Sequence, residues 1–184
     1  MTNSKKGFTL IELLVVIGIL AVLATVVVLV LNPAQLFAQA RDTQRLSDLS
    51  STVSAINLYL VTADTVTLGE TAYSTANATC GLTGGCTLRD VYTIGGAGWV
   101  TVNLASSTGG SPLASLPRDP LNNATYQYAY VGDNTNKTYE LNARLESEKF
   151  RVDMTTDGGN QNTCSTYIES TCYYEVGNDP GLDL

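Results

Sequence analysis

Residues 8–31 hold 24 consecutive positions with a single charge, Glu12. At roughly 1.5 Å per residue a helix of this length spans about 36 Å. A hydrocarbon core is about 30 Å thick, so one crossing is predicted. Lys5 and Lys6 precede the run and acidic residues follow it, which places the N-terminus in the cytoplasm and the bulk of the chain outside. A cleaved secretory signal is the alternative, with Lys5 and Lys6 as its basic region and Ala38-Gln39-Ala40 as a small-x-small cleavage site. Against it, the apolar run exceeds the ~7–15 residues of such a region, and it contains Glu12. A plain signal anchor explains the length but not the carboxylate.

The helical pattern resumes beyond the apolar run. Asn32-Pro33 predicts a kink or restart, because proline is tolerated in a first turn and disfavours helix just before it. Leu46, Leu49, Val53, Ile56 and Leu60 then recur at steps of three and four, one face of a helix. Arg41, Arg45, Asp48, Ser51 and Asn57 are expected on the opposite, polar face. The apolar stem thus continues into an amphipathic helix whose stripe must cover something, and the chain's own globular part is the simplest partner.

Residues 61–98 read as a loop-rich connector with room for a short helix. In GWVTVNL, Val100, Val102 and Leu104 alternate with Thr101 and Asn103, which predicts a strand. The turn-rich stretch SSTGGSPLASLPRDPLNN follows. YQYAYVG places Tyr126, Tyr128 and Tyr130 on one face, packing a sheet rather than forming a ligand platform. GDNTNKT is a polar turn. TYELNARLE alternates Tyr139, Leu141, Ala143 and Leu145 with Glu140, Asn142, Arg144 and Glu146. After Ser147-Glu148 the apolar parity shifts to Phe150, Val152 and Met154, as a tight hairpin would produce. An antiparallel meander packed on the helical stripe, an α+β arrangement, is expected.

Composition narrows the function classes. The net charge is −7, and without Lys5 and Lys6 it becomes −9, with 8 basic against 17 acidic side chains. So acidic a surface repels phosphate backbones and argues against direct nucleic-acid binding. There is no histidine, which removes the commonest general base and metal ligand. Cys80, Cys86, Cys164 and Cys172 lie in CGLTGGC and CSTYIESTC, without zinc-ligand spacing. In an exported domain, two disulfides are the natural reading. Four cysteines allow three pairings; Cys80–Cys86 and Cys164–Cys172 are favoured because short closures are easy to reach, and the other two stay open.

KKGFTLIELLVVIGILAVLA resembles the class III signal of type IV pilins and type II secretion pseudopilins. The resemblance covers about the first 25 residues, and the long amphipathic continuation agrees with the family's spine helix. It implies that a prepilin peptidase cuts between Gly7 and Phe8 and N-methylates Phe8. It also implies that Glu12, with Thr9 in the same motif, serves assembly by pairing with the Phe8 amine of a neighbouring subunit. Many members carry a proline at the twenty-second mature position. That position is Leu29 here, and Pro33 stands in its place further on. LPRDPLNNATYQYAY is similar to a region of major pseudopilins and Gram-positive-type pilins that carries LP-x-DP before the first hairpin.

The resemblance implies a pilin-like α+β fold: a long spine helix packed on a small antiparallel sheet, with disulfide-stapled loops. The expected parts are a leader at 1–7, a transmembrane and polymerisation helix at 8–31, an amphipathic helix at 32–62 and a head at 63–184. Within the head the sheet is expected at about 98–154 and a C-terminal disulfide loop at 155–184. The expected function is a structural subunit of a type IV pilus-like filament. A major pseudopilin of a type II secretion system and a monomeric membrane-anchored binding module are the alternatives. Expected partners are further copies of the chain, the prepilin peptidase, the pilus or secretion assembly machinery and the cytoplasmic membrane. The chain would start in that membrane and move to an extracellular pilus or a periplasmic pseudopilus.

DMTTDGGNQNTC sets Asp153, Thr155 and Asp157 before Gly158, like the first half of a calcium loop, but Cys164 stands where an EF-hand needs a bidentate acid. Asp153 and Asp157 are thus candidate ligands of a structural calcium, the one cofactor considered, against an ordinary Asx/Gly turn. Asn77-Ala78-Thr79, Asn123-Ala124-Thr125 and Asn136-Lys137-Thr138 fit the glycosylation sequon, a pattern that chance also produces in a chain rich in Thr and Asn. No catalytic constellation is visible. Glu146/Glu148 and Asp153/Asp157 are paired only in sequence and read as solvated turns, so the chain is not expected to be an enzyme.

Overall fold

The structure, a computed structural model, describes residues 7–161, 164 and 172–184, with Leu29 defined by its backbone alone. The chain forms two compact units, residues 1–37 and 38–184.

In the first unit, α1 (Leu10–Leu31) is apolar around its whole circumference. All its described side chains are exposed. It ends at Asn32, which takes the left-handed conformation with φ of 40°; asparagine tolerates that region better than most residues. Pro33 then opens α2 (Pro33–Thr62), where its missing N–H leaves no bond unmade. The Gln35 N–H donates to the Asn32 carbonyl at 3.0 Å, closing the new first turn.

The second unit is an α+β head. Its five-stranded sheet has the order β2-β1-β3-β4-β5. β3 (Tyr128–Asp133) and β4 (Thr138–Ala143) form the central hairpin, and β5 (Tyr174–Gly177) continues it antiparallel beside β4. β1 (Tyr73–Ser74) pairs antiparallel with β3, and β2 (Thr87–Leu88) pairs parallel with β1. The sheet is therefore mixed, not wholly antiparallel. At the hairpin tip the Asp133 carboxylate accepts the N–H groups of Thr135 (2.6 Å) and Asn136 (3.2 Å), an Asx turn that sets the register. Those bonds hold the Asp133 carboxyl below the usual carboxylate range.

One sheet face and α2 enclose the main core. Leu49, Ala55, Ile56 and Tyr59 meet Tyr128, Tyr130, Tyr139, Leu141 and Ala143. The sheet tyrosines cross the core and end on polar groups: Tyr128 Oη donates to Asp48 (2.8 Å), Tyr130 Oη to the Leu68 carbonyl (2.8 Å) and Tyr139 Oη to Asn57 (2.9 Å). A buried hydroxyl needs such a partner, so these bonds let tyrosine serve where phenylalanine would be expected.

Two predicted strands are absent. In GWVTVNL, Trp99 and its neighbour Val100 are both buried, together with Val102 and Leu104. The segment is folded into turns with one isolated bridge, Gly95 to Asn103, because the core takes side chains of both parities. Gly98 is required there, since a Cβ would stand 2.3 Å from the Thr93 carbonyl. The second absent strand, at Phe150, Val152 and Met154, is a turn leading into α3 (Asp153–Thr156). Its bonds run three residues back, as from Met154 N–H to the Arg151 carbonyl at 3.2 Å, and Met154 is buried while Val152 is exposed. The third strand of the meander is β5, from the stretch expected to be a disulfide loop. The connector at 61–98 contributes β1 and β2, with no helix.

Candidate processing and assembly segment

Gly7, Phe8 and Thr9 are not helical, and Gly7 and Phe8 are exposed. The helix starts at Leu10 because Thr9 caps it, with φ −83° and ψ 150°. Thr9 and Glu12 form a capping box. The Glu12 N–H donates to Thr9 Oγ1 (3.3 Å), while Glu12 Oε2 accepts the Thr9 N–H (2.9 Å) and hydroxyl (2.7 Å). These bonds satisfy N–H groups that a helix start leaves orphaned. They also leave Gly7 and Phe8 outside the helix. The T-x-x-E spacing is itself a capping-box signature, a signal that the apolar run and its lone charge overshadow. Lys5 and Lys6 lie outside the described residues.

Leu10–Val28 has a mean hydropathy of 2.9 and is long and apolar enough to cross a membrane. Residues 2–28 match the family model for the prokaryotic N-terminal methylation motif. The segment is a class III signal of the type IV pilin and pseudopilin kind. That class III signal points to a membrane-anchored structural protein, handled by a prepilin peptidase and by pilus or secretion assembly. No curated protein and no solved structure matches the chain.

The head holds the remaining candidate residues. Cys80 is bonded to Cys86 with Cα atoms 6.0 Å apart, and Cys164 to Cys172 at 4.9 Å. The loop between Cys164 and Cys172, residues 165–171, lies outside the described residues. Asp153 sits in the first turn of α3. Asp157 follows α3, and its carboxylate accepts the N–H groups of Gly159 (3.0 Å) and Glu175 (2.8 Å). Among the described residues no group of three or more acidic or cysteine side chains is close enough to hold a metal ion.

Arg45, expected on the polar face of α2, is fully buried. It donates to Asp42 (2.9 Å), Asp119 (2.6 and 3.1 Å) and Glu146 (2.7 Å). Asp42 in turn accepts the N–H groups of Glu146 (2.9 Å) and Ser147 (2.7 Å), and Asp119 those of Leu121 (2.8 Å) and Asn122 (3.0 Å). Arg41 also grips Glu146. Glu146 is therefore not on a solvated turn. Asp119 is the acid of LPRDP, and its bonds tie that motif to α2. Burial opposes charging of Arg45, but Asp119 and Glu146 outweigh it and raise its pKa. Burial pushes the Glu146 carboxyl up, and the two arginines more than reverse this, leaving it below its ordinary value.

The polar residues on the sheet's second face do not meet solvent: Glu140, Asn142 and Glu175 are each about 1% exposed. The disulfide loop covers this face with Cys80 and Leu82, and Leu184 packs beside them. The Leu184 N–H donates to Glu140 (3.0 Å), and the Gln161 N–H to Glu175 (2.8 Å). Burial raises Glu140 to about 7 and Glu175 to about 8.

Proposed function

We propose that the chain is a structural subunit, made as a precursor, cut between Gly7 and Phe8, N-methylated on Phe8 and polymerised through α1 into a type IV pilus-like filament. The observation that carries this reading is the methylation motif on a helix with every described side chain exposed. Such a surface needs lipid in the free subunit and neighbouring helices in a polymer. Glu12 gives the polymer a register. A charged carboxylate at the bilayer centre costs about 2.5–3.5 kcal/mol on insertion scales. Glu12 sits only about 6 Å along the helix from Phe8, at roughly 1.5 Å per residue, so it reaches toward the interface. Cleavage supplies an amine on Phe8, and the Glu12 of an adjoining subunit neutralises it within the helical bundle.

N-terminal peptide mass spectrometry on sheared surface material and on membranes tests the reading. A chain starting at methylated Phe8 in the sheared fraction is expected. That N-terminus in membranes alone would favour the pseudopilus of a secretion system. A start at Met1, or at Arg41 after a conventional cut, would overturn the proposal and restore an anchored or secreted binding module.

A further inference from the structure

Three sequons lie in the head, and their geometry separates them. Asn136 is exposed, but its Nδ2 donates to Asp133 at 2.6 Å, and the hydroxyl of its Thr138 is buried within β4. Asn77 is half-buried, and its Nδ2 donates to the Ala124 carbonyl at 3.0 Å. Asn123 and Ala124 are exposed. The Asn123 Oδ1 accepts the N–H groups of Thr125 (2.9 Å) and Tyr126 (2.9 Å), and its backbone N–H donates to the Tyr126 carbonyl (2.8 Å). The sequon is therefore already a closed turn. Its Asn123 Nδ2 and Thr125 hydroxyl bond to nothing among the described residues.

We infer that Asn123 is an N-glycan acceptor. The reaction joins Asn123 Nδ2 to the anomeric carbon of a polyprenyl-diphosphate-linked glycan. The carbon–oxygen bond to the diphosphate breaks, the polyprenyl diphosphate leaves, and the amide proton passes to a basic carboxylate of the transferase. Three features favour this residue. Donation of two N–H groups to Oδ1 draws electron density from the amide nitrogen and makes its proton easier to remove. The turn fixes Thr125 beside Asn123, as a transferase reading both residues requires. The site also adjoins the Cys80–Cys86 staple through the bond from Asn77 to Ala124, and disulfides belong to the exported compartments where such glycans are added. The inference rests on the head being exported.

The test is electron-transfer fragmentation of the tryptic peptide 119–137, from the full chain purified from the cells that make it, with the N-terminal peptide read in the same run. This peptide contains both Asn123 and Asn136, and the fragments assign the mass to one of them. A saccharide mass on Asn123 is expected, lost completely in Asn123→Gln and Thr125→Ala and retained in Thr125→Ser. Thr125→Ala leaves the backbone N–H groups of the turn in place, so its loss of glycan cannot be ascribed to misfolding. An unmodified peptide 119–137 in a chain that starts at Phe8 would overturn the inference and leave the filament reading standing. Sugar on Asn136 with Asn123 unmodified would also overturn it. A chain that starts at Met1 and carries no sugar would overturn both.

Discussion

At the residue scale the head turns on Arg45. Three carboxylates converge on its guanidinium, and two of them also anchor the backbone of loops far away in sequence, at Leu121–Asn122 and Glu146–Ser147. An apolar side chain at this position would leave Asp42 and Asp119 buried without a counter-charge. Arg45→Ala is expected to lower the head's stability by roughly 3–5 kcal/mol, the usual consequence of breaking a buried pair from one side. It should appear as a lower urea midpoint at an unchanged slope. Arg45→Lys should recover only part of the loss, because a point charge cannot match the forked contact with Asp119. A midpoint within experimental scatter of the parent would refute this account. The place of Arg45 is hidden in the sequence because hydrophobic periodicity counts a buried, fully paired arginine as polar. The buried positions Asp42, Arg45, Leu49, Thr52, Ile56 and Tyr59 keep helical spacing, but half are polar, so the apolar residues alone indicate a stripe rotated toward Leu46, Val53 and Leu60.

At the element scale the spine was the most legible part, because an apolar run of 24 residues and an Asn-Pro break each have one dominant physical reading. The central hairpin was legible for a similar reason, with alternation on both sides of a polar turn. GWVTVNL and Phe150–Met154 were not, since alternation over a few residues also arises where a loop folds into a core, and in a helical turn residues two apart do not share a face, so that Met154 is buried while Val152 is exposed. The capping box at Thr9 and Glu12 gives the start of α1 a prediction of its own. Glu12 caps its own chain, and in the proposed filament it is also the charge offered to a neighbour. Glutamine keeps the first and removes the second, because either residue serves at that position of the box. Glu12→Gln is expected to be cleaved and methylated normally yet to yield at least ten-fold less sheared filament, at about 1.4 kcal/mol per factor of ten. Quantitative blotting of sheared and membrane fractions measures this. A full filament yield from Glu12→Gln would assign the residue to capping alone.

At the scale of the whole molecule, the head carries two sets of carboxyls whose stabilities oppose one another in pH. Glu146 is held low, so its contribution is present above its unfolded value and fades as pH falls through the folded one. Glu140 and Glu175 behave in the opposite sense. Folding raises them from 4.5 to about 7 and about 8, so between those values and 4.5 the folded state binds more protons than the unfolded chain. Stability therefore falls as pH rises through this window, and the loss is complete above about 8. The cause is topological, and it could not be read from alternation. β4 lies between β3 and β5 with both its faces covered, so Glu140 and Asn142 point under the Cys80–Cys86 loop instead of into solvent. Glu140→Gln removes one of the two titrating carboxyls while preserving an acceptor for the Leu184 N–H. Its stability relative to the parent should be near unchanged at pH 5 and higher at pH 8.5 by on the order of 1–3 kcal/mol, since a tenfold change in proton affinity between the folded and unfolded chain is worth about 1.4 kcal/mol. Urea midpoints at the two pH values decide it. An equal difference at both would mean that Glu140 is held by its hydrogen bonds in a single charge state, and that the covered face of the sheet is insensitive to protons.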